Sequence, residues 1–196
     1  GTMEEPVNRS ANPAAITEAI PEALLMQDLN LTAEERDRLS AEAVALTHGE
    51  PEAFLSAAAL THALGMVLAG EATTAKDVVE QTLNDIQLQF GREYPQISKL
   101  WELSQLALTL AKSEKITPME AMETLQCRTS AEVLAGALYA IATCHGDFDT
   151  AMITAVNHSG RSAAVGAITG AFMGALLGEE ALPEFYLECL EPTATL

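Results

Sequence analysis

The sequence predicts an all-α fold, a compact single-domain helical bundle. Apolar residues recur at helical spacing through most of the 196 residues, and no stretch alternates with the two-residue period of a strand. Clear helix starts precede these stretches, most plainly the capping boxes at Thr32 and Thr117. Aromatic residues make up only 5% of the chain and alanine is abundant. We therefore expect the helices to pack on one another through small side chains.

The predicted elements follow one another in a simple order. Residues 1–13 form an irregular lead-in whose first two residues we expect to be a cloning remnant. Residues 14–191 form the helical domain, and residues 192–196 form a tail. Start and stop signals place helices at about 14–26, 32–47, 51–68, 74–91, 95–111, from 117, 131–143, 148–156, 162–177 and 183–190.

Two details of these helices can be checked directly. Ile16, Ile20 and Leu24 share the face that we expect the first helix to bury. Ser130 and Asp147 are predicted to cap the helices that begin after them.

The helix at 162–177 is predicted to lie buried at the centre of the bundle. Gly166, Gly170, Gly174 and Gly178 recur at every fourth position and therefore share one face. Each glycine inside a helix costs about 1 kcal/mol relative to alanine, so this spacing predicts close approach to neighbouring backbones. As a membrane span, the segment falls short of the roughly 20 apolar residues that crossing requires.

The chain is strongly acidic, with a net charge of −18 and a pI near 4.4. Phosphate backbones and anionic lipids would be repelled, so we expect neither nucleic acid nor membrane as a partner. The charge favours either simple solubility or a basic protein partner. Three widely spaced cysteines argue against a disulfide framework or structural zinc. No signal peptide is visible, so we expect a cytoplasmic location, and the oligomeric state is left open.

Five segments occur in a fixed order. They are Thr-His-Gly-Glu-Pro at 47–51, the alanine- and leucine-rich stretch 131–139, Asp-Phe at 147–148 with Ala-Val-Asn at 155–157, the glycine-rich helix after 160, and Gly-Glu-Glu-Ala-Leu-Pro at 178–183. In this order they resemble the ADP-ribosylglycohydrolase family, which includes the dinitrogenase-reductase-activating glycohydrolases. The resemblance covers roughly residues 8–191 and implies the all-α core of that family.

The resemblance also implies a catalytic magnesium site, for which this sequence lacks ligands. Family members usually read Asn-x-x-Gly-Asp-x-Asp followed by Ser or Thr before the glycine-rich helix, and the two aspartates and the hydroxyl hold the metal. Here Arg161 and Ala163 stand at the aspartate positions, and Ala164 stands at the hydroxyl position. The family's Gly-Asp-Ala-x-Gly and Thr-Asp-Asp segments do not occur in the sequence. We therefore expect no catalytic residues and no metal cofactor.

Two groups of residues form the predicted site. The degenerate family site consists of Asn157, His158, Gly160, Arg161, Ser162 and Ala163. A candidate ligand pocket is lined by Ser10, Asn12 and His48, since residues 10–15 stand where the family has a glycine-rich loop beside its ADP-ribose pocket. We expect His158 to stabilise the turn. Because a helix N-terminus disfavours a cation, we expect Arg161 to pair with a carboxylate of this chain or of a partner.

These features predict a non-catalytic relative that acts by binding a protein partner. It would be a pseudoenzyme, or an immunity-type or regulatory interaction protein. The alternative is an active hydrolase of ADP-ribosyl groups whose missing metal ligands come from another chain or from unfamiliar positions. A domain cut from a longer protein is a third interpretation.

Overall fold

The computed structural model describes residues 1–71 and 74–188, and within these ranges the chain is all-α, as predicted. Its helices are α1 (Ala14–Leu25), α2 (Ala33–Ala45), α3 (Pro51–Leu68), α4 (Ala75–Phe90), α5 (Ile97–Ala111), α6 (Pro118–Leu125), α7 (Ser130–Thr143), α8 (Phe148–Val156), α9 (Ser162–Leu177) and α10 (Glu184–Glu188). The predicted end of the last helix and the tail at 192–196 lie outside the described residues.

Helix α3 forms the centre of the bundle. Every residue from Ala53 to Val67 is buried, and the helix packs against α1, α2, α4, α5, α7 and α9. It is long and apolar enough to cross a membrane, but 83% of that stretch is buried inside the fold. Its packing therefore identifies α3 as the core helix around which the other elements are arranged.

The prediction that α9 lies buried at the centre is only partly correct. One side of α9 packs against α1, α3, α7 and α8, and that side buries Val165, Gly166, Ile168, Thr169, Phe172 and Met173. Ala163 and Ala167 on the other side are exposed. Because alanine and glycine occupy both sides, the sequence carries little amphipathic signal for the side that faces solvent.

The glycine stripe of α9 faces α8, and side chains of α8 approach it closely at one end only. A Cβ on Gly166 would lie 3.0 Å from Val156 Cγ1, and a Cβ on Gly170 would lie 3.6 Å from Met152 Sδ. A Cβ on Gly174 would meet nothing within 4 Å. The atoms nearest to Gly166 and Gly170 belong to side chains of α8, so the predicted close approach to a neighbouring backbone is wrong for this stripe.

The helix starts match the predicted signals closely. The capping boxes at Thr32 and Thr117 are confirmed, and the Asp147 carboxylate accepts the Thr150 N–H at 2.7 Å. Ser130 is not the cap of α7 but its first residue, and the N-cap is Thr129. The error of one residue arises because both neighbours are good capping residues.

The lead-in is irregular but packed. The Met3 side chain is buried in the core, and Asn8 bonds the turn before α3 by donating to the Thr47 carbonyl at 2.8 Å and accepting the Gly49 N–H at 3.1 Å. In α1 the predicted buried face is wrong at Leu24, which is 52% exposed. The buried face of α1 consists of Ala15, Ile16, Ala19 and Ala23.

Candidate functional site

The turn between α8 and α9 holds the degenerate family site at one end of the bundle. The Asn157 amide donates to the Ile153 carbonyl at 2.7 Å. The Gly160 N–H lies 3.0 Å from His158 Nδ1, and His158 Nε2 lies 3.0 Å from the Ala155 carbonyl. A carbonyl only accepts and an N–H only donates, so these contacts assign the neutral tautomer with its proton on Nε2. Both ring nitrogens therefore hold the turn, and neither is free to act as a base.

Gly160 lies where this turn comes closest to the loop after α6. The Arg161 N–H donates to the Cys127 carbonyl at 2.7 Å. A Cβ on Gly160 would overlap the carbonyl oxygens of Gln126 and Cys127. Those two residues have positive φ angles of 61° and 52°, a strained conformation for residues other than glycine. Glycine at position 160 is therefore required by the close approach of two backbones.

A carboxylate on α6 fastens the same turn. Glu123 Oε1 accepts the Ser159 N–H at 2.7 Å, and its Oε2 accepts the Ser159 hydroxyl at 2.6 Å. These hydrogen bonds lower the pKa of Glu123. Sequence reasoning missed Glu123, because Glu123 and Ser159 lie far apart in the chain and their contact leaves no local pattern.

The residues at the family's aspartate positions face solvent. Arg161 is the N-cap of α9 without a side-chain cap hydrogen bond, and both Arg161 and Ala163 are exposed, while Ser162 is half-buried. In the part of the chain that the structure describes, no carboxylate forms an ion pair with Arg161. The described residues therefore supply no carboxylate partner, and pairing of Arg161 with a carboxylate of another protein stays a prediction. At the surface, water solvates the Arg161 guanidinium and screens its unfavourable interaction with the dipole of α9.

Ser10, Asn12 and His48 lie on neighbouring segments, the lead-in and the turn before α3. The Ser10 carbonyl accepts the Glu50 N–H at 3.3 Å, and Asn12 Oδ1 accepts the N–H of the first residue of α1 at 3.0 Å. His48 Nδ1 lies 2.9 Å from the Thr47 hydroxyl. Two cavities of about 470 and 490 Å³ lie elsewhere and include none of these three residues. Their polar atoms serve turns and caps.

Glu52 occupies the start of α7, where the positive end of the helix dipole favours an anion. Its Oε1 accepts the Ala131 N–H at 3.3 Å, and its Oε2 lies 2.6 Å from Lys99 Nζ. The Glu52 side chain is only 12% exposed. The Ser130 hydroxyl meanwhile donates to carbonyls of the lead-in at 3.2 and 3.3 Å. This helix N-terminus is thus filled by a carboxylate of the same chain.

The donor set at this end of the bundle does not fit magnesium. Mg²⁺ takes oxygen ligands in near-octahedral geometry, usually with carboxylates, whereas the turn offers the Ser162 hydroxyl beside the Arg161 guanidinium. Glu52 and Glu123 accept hydrogen bonds from this chain's own groups. Across residues 1–71 and 74–188, no three His, Cys, Asp or Glu side chains group into a metal site.

The comparison with known families decides the assignment. The family model of ADP-ribosylglycohydrolase matches residues 2–196. The chain belongs to this family. The comparisons with curated proteins and with solved structures give no match. The all-α bundle fits the ADP-ribosylglycohydrolase assignment, and the segments in which the resemblance was recognised all fall inside the matched range.

This ADP-ribosylglycohydrolase family member also contains an Asp–His–Asp cluster, in which His62 and one aspartate are buried. His62 on α3 places Nδ1 2.7 Å from Asp37 Oδ2 on α2 and Nε2 3.3 Å from Asp85 Oδ2 on α4. The side chains of Asp37 and His62 are 1% and 6% exposed, and that of Asp85 is 43% exposed. Burial alone would lower the pKa of His62, but the hydrogen bond and charge of Asp37, together with Asp85, raise it. Burial raises the pKa of Asp37 against the opposing effects of His62 and Arg36.

Sequence reasoning missed this cluster in the ADP-ribosylglycohydrolase chain. His62 stands in an apolar helix, and its partners lie on two other helices, so no motif joins them. One signal was present: Asp37 precedes Ser40, Ala41 and Val44 at the spacing of the buried face of α2. A carboxylate on a core-facing stripe requires a partner, and that requirement could have directed attention to the single histidine of α3.

Proposed function

We propose that this family member is non-catalytic and acts by binding another protein. The observation that carries the proposal is the exposure of Arg161 and Ala163 at the positions where the family pattern has metal-binding aspartates. A guanidinium at that place repels a dication, and the methyl group of Ala163 cannot ligate one. Activation of water by a metal ion therefore has no ligand set on this turn.

The contacts around the turn support the proposal further. Glu52 fills the start of α7, and Glu123 holds Ser159 on the turn. These are the contacts of a rigid scaffold whose polar groups satisfy one another. They keep the bundle intact while the chemistry at the degenerate site is lost, which suits a pseudoenzyme or an immunity-type or regulatory binding protein.

The charge distribution indicates how a partner would be recognised. A net charge of −18 attracts basic surfaces and accelerates their association. Arg161 is an exposed guanidinium that no described carboxylate neutralises, so it is available to a carboxylate of the partner. We place Arg161 within the binding surface on these grounds.

The binding role is tested with the protein that co-purifies with the chain from its native source. We expect Arg161→Ala to weaken that association about fivefold or more, and to change the free energy of unfolding by less than about 0.5 kcal/mol. Arg128→Ala is the matched control, because Arg128 is also exposed and lies on the neighbouring loop. Failure to recover a specific partner, or equal losses in both variants, would refute the binding role.

The alternative function is an active hydrolase whose metal site another chain completes. It predicts that the chain with its partner takes up magnesium at a stoichiometric site that includes Ser162. We expect calorimetry to detect no such site, either for the chain alone or with its partner. A tight site that Ser162→Ala abolishes would support the alternative and overturn our proposal.

A further inference from the structure

Helices α2 and α4 both pack against α3 but hardly touch each other, and a cavity of about 490 Å³ lies between them. Asp37 and His62 line its deep part, since both side chains are buried, and Leu88 lies at the rim with 80% exposure. Gln89 bridges the two helices by donating its amide to the Glu34 carbonyl at 2.8 Å. The cavity is therefore open to solvent and has a buried polar floor.

One acceptor on that floor has no partner. Asp37 Oδ2 is 2.7 Å from His62 Nδ1, whereas Asp37 Oδ1 is buried and accepts no hydrogen bond from any described residue. Buried carboxylate oxygens are normally satisfied, so an orphaned one in a cavity wall marks the place of a missing donor. Asp85 at 43% exposure adds a second, solvent-accessible carboxylate to the same cavity.

The charges around the cavity leave an excess of negative charge. Glu34, Asp37 and Asp85 line it, and a small cavity beside it is lined by Glu71 and Arg36. These four carboxylates face one guanidinium and the imidazole of the cluster. Arg36 donates from Nη1 to a backbone carbonyl at 3.3 Å and keeps its charge, so the carboxylates still outnumber the cations. A positively charged group with hydrogen-bond donors would therefore complement the cavity in charge and in hydrogen bonding.

We propose that this cavity binds a compact organic cation, an alkylammonium or alkylguanidinium group, through Asp37 Oδ1 and the Asp85 carboxylate. Such groups carry donors and no acceptors, which matches the unpaired Asp37 Oδ1 and the solvent-accessible Asp85 carboxylate. Ala33 and Leu88 supply apolar contact for the alkyl chain. The volume lies in the range typical of small-ligand pockets. The group can come from a free small molecule or from a lysine or arginine side chain of a peptide.

The site is separate from the degenerate turn. None of the residues that line the cavity belongs to the turn at 157–163. Cation binding here does not depend on the loss of hydrolysis at the turn. Either proposal can fail while the other stands.

The test titrates butylguanidinium and butylammonium into the full chain, with butyramide and butyrate as neutral and anionic controls. Calorimetry measures affinity, and the NMR signals of the His62 imidazole report whether binding occurs at this cavity. A second arm uses the blocked peptides Gly-Arg-Gly and Gly-Gln-Gly. Asp85→Asn is the primary variant, since Asp85 is half-exposed and its replacement preserves shape. Glu114→Gln, exposed on the loop after α5, is the control for net charge.

We expect saturable binding of the cations with a shift of the His62 signals, and about fivefold or greater weakening in Asp85→Asn but not in Glu114→Gln. Binding of the free cations alone identifies a small-molecule ligand, and binding of the arginine peptide in preference to them identifies a side chain of a partner. The proposal is overturned if no cation saturates, if butyramide or butyrate binds equally well, or if both variants lose the same affinity.

Discussion

His62 is a residue whose pKa depends on two neighbouring carboxylates. The imidazole lies between Asp37 and Asp85, which together raise its pKa although burial opposes them. A group with a raised pKa in the folded state contributes stability that is fully present below its unfolded pKa, near 6.5 for histidine. That contribution is lost as the pH rises through the folded pKa. The raised pKa of Asp37 acts in the same direction.

The pH dependence of unfolding tests this cluster. Relative to a double variant, Asp37→Asn with His62→Gln, the wild-type advantage in free energy of unfolding should shrink as the pH rises from about 6 to about 9. Arg36, Glu34 and Glu71 also face the cluster, and they are present in both proteins. Denaturant unfolding over that range measures the difference. If the difference in free energy of unfolding between the two proteins stays constant or widens as the pH rises, His62 is not stabilised as an imidazolium by the two carboxylates.

Removing one partner of the Asp37–His62 pair should lower the free energy of unfolding strongly. His62→Gln alone leaves the Asp37 carboxylate buried without its partner, and such a loss costs about 3 kcal/mol or more. The matched exposed case is Arg38, whose pairs with Glu4, Glu42 and Glu93 lie at the surface; Arg38→Gln should cost about 1 kcal/mol or less. Equal effects of the two substitutions would show that the cluster is not buried as described.

Gly160 offers a second residue-scale prediction. Gly160→Ala forces the Gln126 and Cys127 carbonyls apart, so we expect the free energy of unfolding to fall by about 2 kcal/mol or more. Gly174→Ala is the control, because its Cβ meets nothing within 4 Å in the helix interior and should stabilise by about 0.5–1 kcal/mol. Thermal unfolding of both variants measures the contrast. Similar changes in both would mean that the turn does not approach the loop closely.

Cys127, on the loop next to Gly160, has a structural role. Cys127 is buried, and burial with the charges of Glu132 and Glu123 raises the pKa of its thiol to about 12. A Cβ on Gly136 would lie 2.5 Å from the Cys127 Sγ. The thiol therefore acts as a packing group against α7 and stays protonated, which excludes it as a nucleophile at neutral pH.

At the scale of elements, the start of α7 shows how the bundle is joined. Glu52 from α3 bonds the Ala131 N–H and Lys99 on α5, so one carboxylate connects three helices. We expect Glu52→Gln to lower the free energy of unfolding by about 1 kcal/mol, since a charge-assisted bond becomes a neutral one. Glu50→Gln, two residues earlier at the N-cap of α3 and without a side-chain partner among the described residues, should stay within about 0.5 kcal/mol of wild type. Equal free energies of unfolding for the two variants, measured by denaturant unfolding, would show that Glu52 does not stabilise the contact between the three helices.

Local signals account for most of what could be predicted about the elements. The capping boxes at Thr32 and Thr117 fix helix starts through contacts within four residues, and such short-range contacts can be recognised in the sequence. Which side of α9 is exposed could not be predicted from the sequence, because alanine and glycine occupy both sides. The contacts of Glu52, Glu123 and His62 join residues on different helices, and a single sequence records no such pairing.

The same distinction holds for the candidate site. The order of short segments was sufficient for the family, and the family match over residues 2–196 confirms it. That order also located the turn at Asn157. It could not reveal that Arg161 lacks a carboxylate partner among the described residues, since pairing depends on which side chains the tertiary fold brings within reach.

At the scale of the whole molecule, the chain belongs to the ADP-ribosylglycohydrolase family and its described residues form an all-α bundle. The core around α3 is continuous and buried among the described residues. The acidic surface, with a net charge of −18, and the exposed Arg161 suit recognition of another protein. These properties together form the central claim of a family member that binds and does not hydrolyse.

The release of ADP-ribose tests that claim most directly. The purified chain is incubated in magnesium with ADP-ribosyl-arginine and ADP-ribosyl-serine substrates, beside the variant Arg161→Asp with Ala163→Asp. We expect both proteins to remain at the background of a protein-free control, because restoring two carboxylates does not supply the Thr-Asp-Asp ligands that the sequence lacks. Turnover by the wild-type chain that scales with its concentration and persists after repurification would contradict the account.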